Sequence, residues 1–115
     1  MPLQTGNWSA NLNGTIGTLA ITSVDTSGVV TGMINSNPVS GYWDEISAKL
    51  TIISGLADQQ APAYVFYTAF LAADQFRMPG LTGGSISTLA GYYVDFKNGT
   101  ADQHVFGWYA QMAQD

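Results

Sequence analysis

Short apolar runs, punctuated by Gly, Asn, Asp, Ser and Pro, fill the chain. Val29–Ile34, Val39–Trp43, Leu50–Ile53, Ala63–Leu71, Leu89–Phe96 and Val105–Met112 are rich in β-branched and aromatic residues, and none carries a helical period. Runs of this kind, bounded by turn formers, predict strands.

The punctuation sets their order. Gly6–Asn11 predicts a first strand, closed by Asn13-Gly14, the strongest two-residue hairpin signal in the chain. Ile16–Val24 follows, then a turn at Asp25-Thr26-Ser27-Gly28 into Val29–Asn35. Asn35-Ser36-Asn37-Pro38 reads as a turn into Val39–Asp44, and Lys49–Ser54 as a fifth strand. A polar connection, Gly55–Pro62, leads to Ala63–Leu71. Ala73–Gly84 reads as the longest irregular segment, with Gly80–Gly84 a flexible loop placed to act as a lid. Ile86–Phe96 and His104–Met112, joined through Lys97-Asn98-Gly99-Thr100, complete eight strands. Such a meander closes into a barrel, so the expectation is one all-β domain over residues 1–115, an eight-stranded antiparallel up-and-down β-barrel.

Alternation along the strands adds a second expectation. In the sixth strand Tyr64, Phe66, Thr68 and Phe70 share one face, and Val65, Tyr67, Ala69 and Leu71 the other. In the eighth, Phe106, Trp108 and Met112 oppose Val105, Gly107 and Tyr109. Both faces are apolar, where a lone barrel in water needs one polar face. Charged residues make up only 10% of the chain against 46% apolar, whereas soluble domains average about 25% charged. A homo-oligomer, dimer or tetramer, with the sixth to eighth strands at its interface is therefore expected.

Charge narrows the partners. Eight acids against three bases, Lys49, Arg77 and Lys97, give a net charge of −5. Too few cations are present to displace counterions from nucleic acid or to hold an anionic membrane. The absence of cysteine excludes disulfides and thiolate metal sites. No run approaches a membrane span, and Met1-Pro2-Leu3-Gln4 lacks the start of a signal peptide, so a cytoplasmic protein is expected unless a leader has been removed. Asn7, Asn13 and Asn98 head glycosylation-type triplets, which Asn- and Thr-rich turns also produce by chance.

The series Gly6-Asn7-Trp8, Asn11-Leu12, Leu19-Ala20-Ile21, Gly28, Thr31-Gly32 and Val39-Ser40-Gly41 resembles the start of avidin and streptavidin. The resemblance covers about the first 45 residues and implies an eight-stranded calycin-type barrel, with a ligand in its mouth and assembly as dimers or tetramers. The family's biotin contacts are an Asn two residues after the first Trp, a Ser four residues later and a Tyr just past Thr-Gly. Here those places hold Ala10, Gly14 and Ile34, and the family's Trp pair near the sixth strand has no counterpart in Ala63–Leu71. Each hydrogen-bonding group missing from a buried polar site costs about 1–3 kcal/mol. The implied ligand is therefore not biotin.

Of the remaining chemistry, Trp8, Trp43 and Trp108 read either as ring-stacking surfaces or as barrel core. Asp44 and Glu45, adjacent on a strand, point to opposite faces and so cannot work as an acid–base pair. His104 is the only histidine. No metal cluster, phosphate loop, nucleophile elbow or dinucleotide fingerprint is present, and no cofactor is predicted. The leading expectation is a binding module for a small, neutral, mostly apolar molecule, lined by Asn11, Ser36, Trp43, Tyr67, Tyr92 and Trp108. Two other classes stay open: a small barrel enzyme of isomerase or cyclase type using Asp44 or His104, and a structural protein whose barrel is filled by its own side chains.

Overall fold

The computed structural model describes residues 3–54, 63–76, 84–97, 100–101 and 105–114. The strands are β1 (Gly6–Leu12), β2 (Thr15–Val24), β3 (Val29–Ile34), β4 (Asn37–Asp44), β5 (Lys49–Ser54), β6 (Ala63–Phe76), β7 (Gly84–Lys97), β8 (Thr100–Ala101) and β9 (Phe106–Gln114). Each long strand pairs antiparallel with the next, β7 passes to β9, and β9 pairs with β1. The β6–β7 pairing links the two arms of the sheet, so eight strands close an up-and-down barrel. The two-residue β8 folds back onto Phe96 and Lys97 and lies outside the ring.

Alternation decides which residues fill the interior. Trp8 and Ala10 of β1 and Leu19 and Ile21 of β2 are buried, followed by Val30 and Ile34 of β3 and Val39 and Trp43 of β4. Leu50 and Ile52 of β5, Tyr67 and Ala69 of β6, Leu89 of β7, and Trp108 and Ala110 of β9 complete one contiguous core. The barrel interior is packed with side chains, including three indoles. Gly41 and Gly91 let the strands bend tightly there: a Cβ on either would run into a neighbouring carbonyl, Thr51 O or Thr68 O.

The turns explain the register. Asn13 and Gly14 both adopt positive φ, 52° and 98°, as a tight hairpin between right-twisted strands requires. Asp25 Oδ1 accepts from the backbone N of Ser27 and Val29 and from Ser27 Oγ, holding the β2–β3 turn.

Three expectations on boundaries are corrected. Ala73–Phe76 is not irregular but pairs with Gly84–Ser87, so β6 and β7 are 14 residues each. Nothing in Ala72-Ala73-Asp74-Gln75 favours a strand locally; the paired partner imposes it. β4 begins at Asn37, so the turn narrows to Asn35-Ser36, with Asn35 at φ 55°. Pro38 stands near the start of that strand, opposite Met33, where one missing donor disturbs the ladder little. Finally, Thr100–Ala101 returns onto β7, and the last strand starts at Phe106. His104 and most of the Gly80–Gly84 loop lie outside the described residues.

Candidate functional site: an aromatic barrel mouth

The end of β5, the start of β6, the end of β7 and the start of β9 meet at one mouth of the barrel. Register places Ser54 opposite Val65, Val65 opposite Asp95, Tyr67 opposite Tyr93, and Tyr93 opposite Phe106. These positions continue the inward-facing series of each strand. The result is a ladder of rings. Tyr93 and Phe106 stack with centroids 5.2 Å apart and planes 24° apart. Tyr67 lies 5.3 Å from Tyr93 and meets Trp108 edge-on at 5.5 Å. Tyr67 and Trp108 are buried, whereas Tyr93, Asp95 and Phe106 are half-buried toward the opening.

Polar groups gather at the same place. Burial pushes the Tyr67 phenol above its ordinary pKa, a hydrogen bond with Ser54 pulls the other way, and the charges of Tyr93 and Asp95 add to the rise. Burial raises Tyr93 too, again helped by Asp95. Both phenols therefore stay protonated at neutral pH and keep a donor as well as acceptor capacity. A mouth built this way offers ring faces, hydroxyls and one carboxylate, which suits binding a small molecule with an apolar body and a polar end.

The opposite end is different. A cleft of about 230 Å³ lies there between the β2–β3 and β4–β5 turns, lined by Val24, Asp25, Tyr42, Trp43, Glu45 and Ile46 among others. Trp43 Nε1 donates to Glu45 Oε2 at 3.1 Å. Asp44 Oδ1 accepts from Ile46 N at 3.0 Å, and hydrogen bonds led by that of Ser47 hold its carboxyl below the usual range. Its Oδ1 is engaged by its own turn. Among the described residues no group of three His, Asp or Glu is placed to hold a metal ion.

Of the six residues expected to line a site, the fold unites two, Tyr67 and Trp108. Trp43 is interior but belongs to the opposite end. Asn11 Oδ1 accepts from Gly14 N at 2.7 Å and caps the first hairpin. Ser36 is exposed in the β3–β4 turn. Tyr92 is 44% exposed on the outer surface, and only its carbonyl turns toward Trp108 Nε1. Trp8 is fully buried, its Nε1 donating to Gln4 O at 3.1 Å. The residues the sequence reading missed are Ser54, Tyr93, Asp95 and Phe106. Parity groups Leu89, Gly91, Tyr93 and Asp95 on one face of β7, but only the burial of Leu89 in the fold marks that face as inward.

Ala10 and Ile34 are buried and face inward without a polar side-chain atom, and Gly14 sits in a turn. Compared with models of protein families, with curated proteins and with solved structures, the chain matches none.

Proposed function

We propose that this protein is a small-molecule-binding barrel, avidin-like in architecture but not a biotin binder, whose ligand sits at the Tyr67–Tyr93 mouth. The observation that carries the reading is the contrast within one interior. Its middle is closed by Trp8, Leu19, Leu50, Ile52 and Leu89, all fully buried, while stacked rings and polar groups collect at one end. Half-buried ring faces at a barrel end gain from being covered by an apolar body. An enzyme working through Asp44 has less support, because that carboxylate caps its own turn.

The proposal includes self-association through the outer face of β6, β7 and β9. There Phe70, Ala90 and Tyr109 stand in one cross-strand row, with Tyr92 beside them. Phe70 is 49% exposed, and Tyr92 and Tyr109 are 44% exposed. Exposed aromatics grouped on one surface are more readily explained by a partner copy than by water.

A thermal-shift titration tests the ligand reading. Biotin is expected to leave the melting temperature unchanged, and flat apolar compounds with one polar end are expected to raise it by mass action. A shift with biotin overturns the avidin-without-biotin reading. No shift with any compound favours a barrel that is only structural.

A further inference from the structure

Asp95 is the most unusual group at the mouth. Three of the acids whose side chains are described, Asp25, Asp44 and Glu45, belong to turns at the far end of the barrel and line the cleft there. Asp95 alone occupies an inward register position, two residues beyond Tyr93 on β7 and opposite Val65 on β6. It is half-buried. It lies close enough to Tyr67 and Tyr93 for its charge to act on both phenols.

A carboxylate held beside electron-rich rings favours one class of ligand. Cations are attracted to aromatic faces by the ring quadrupole and to carboxylates by charge, and both attractions strengthen as water is excluded. An anion would meet Asp95 with repulsion, and a neutral apolar group would leave it desolvated and unpaired. The chain's net charge of −5 acts in the same direction, drawing cations toward the surface before they bind.

We propose that the mouth selects an organic cation, an amine or quaternary ammonium carried on a flat apolar body, with Asp95 pairing the charge and Tyr93 and Phe106 covering the body. This rests on the ligand-binding reading above and narrows it to a charge class.

Three probes with one ring system separate the two claims: 1-naphthylmethylamine, 1-naphthylmethanol and 1-naphthoate, positive, neutral and negative at pH 7. Naphthalene fluorescence reads their binding to the full chain. The amine is expected to bind about tenfold more tightly than the alcohol, the size of one charge-assisted contact. Asp95→Asn is expected to erase that preference, the amine then binding no more tightly than the alcohol. Asp44→Asn, which removes the same charge at the opposite end, is expected to leave the preference intact. Equal binding of amine and alcohol, or a preference that survives Asp95→Asn, overturns the cation proposal but leaves the binding mouth standing. Binding of none of the three, with the barrel folded by circular dichroism, overturns the binding mouth and the cation proposal together.

Discussion

Trp108 Nε1 donates to Thr68 O at 3.2 Å, although these residues lie on β9 and β6, two strands that do not pair. The bond crosses β7 above Gly91, which stands opposite Trp108 and has no side chain to block the indole. The same N–H reaches Tyr92 O at 3.1 Å. The indole thus ties three consecutive strands of the ring together at the floor of the mouth.

The first prediction concerns that tie. Gly91→Ala places a methyl against Thr68 O, the carbonyl that the indole bonds. It is expected to destabilise the barrel by about 1–3 kcal/mol. Trp108→Phe removes the donor and leaves two carbonyls short of a partner, a loss of similar size. Urea unfolding with unchanged m-values measures both.

The second concerns acid. Hydrogen bonds from Ser27, first through its side chain, and from Val29 hold the Asp25 carboxyl below its ordinary pKa, and Ser47 leads those that do the same for Asp44. A folded pKa below the unfolded value means stability that is fully present above about pH 4 and drains away as pH falls through the folded value. The melting temperature is expected to drop with acid in that range. In Asp25→Asn/Asp44→Asn, which keeps an acceptor but removes the titration, the slope flattens. An unchanged slope would assign the acid sensitivity to other groups.

The third isolates backbone conformation. Gly14 has φ 98°, and a Cβ built there meets nothing within 4 Å. Gly14→Ala therefore costs only the left-handed conformation, about 1–2 kcal/mol. Thermal or urea denaturation reads this directly, and a neutral result would mean the hairpin had changed turn type.

The fourth concerns association. Phe70→Glu and Tyr92→Arg each place a charge on an exposed outer position and should leave the core undisturbed. Sedimentation velocity is expected to show an oligomer for the natural sequence and a monomer for either variant. A natural sequence that sediments as a monomer at all concentrations removes the interface.

How much of this was readable from residues alone follows from where the signals were strong. The meander was readable because its turns are written in local chemistry: Asn13-Gly14 at positive φ, and Asp25 folding over Ser27 ahead of Gly28 at φ 95°. The extension of β6 to Phe76 was not, since Ala73 and Asp74 belong to a strand only through Ser87 and Ile86 opposite them. The mouth was half readable. On β6 and β7 both faces are apolar, so alternation alone carries no sign, and adjacent Tyr92 and Tyr93 compete as interior residues. Only the buried Leu89 and the Gly91–Trp108 pairing decide for Tyr93. Trp43 and Tyr67 are both interior, yet they belong to opposite ends of the barrel.

The ring closes where β1 meets β9, over Ser9–Leu12 against Gln111–Trp108, while β6 and β7 pair along 14 residues each. The seam joins the two most distant parts of the chain through the shortest ladder of the ring, so it forms against the largest loop entropy. Successive hairpins zip first, leaving a curled ribbon that snaps shut last. Until it does, β1 and β9 are bare edges open to another chain. Yield on refolding should accordingly fall with protein concentration, because closure within one molecule competes there with joining two.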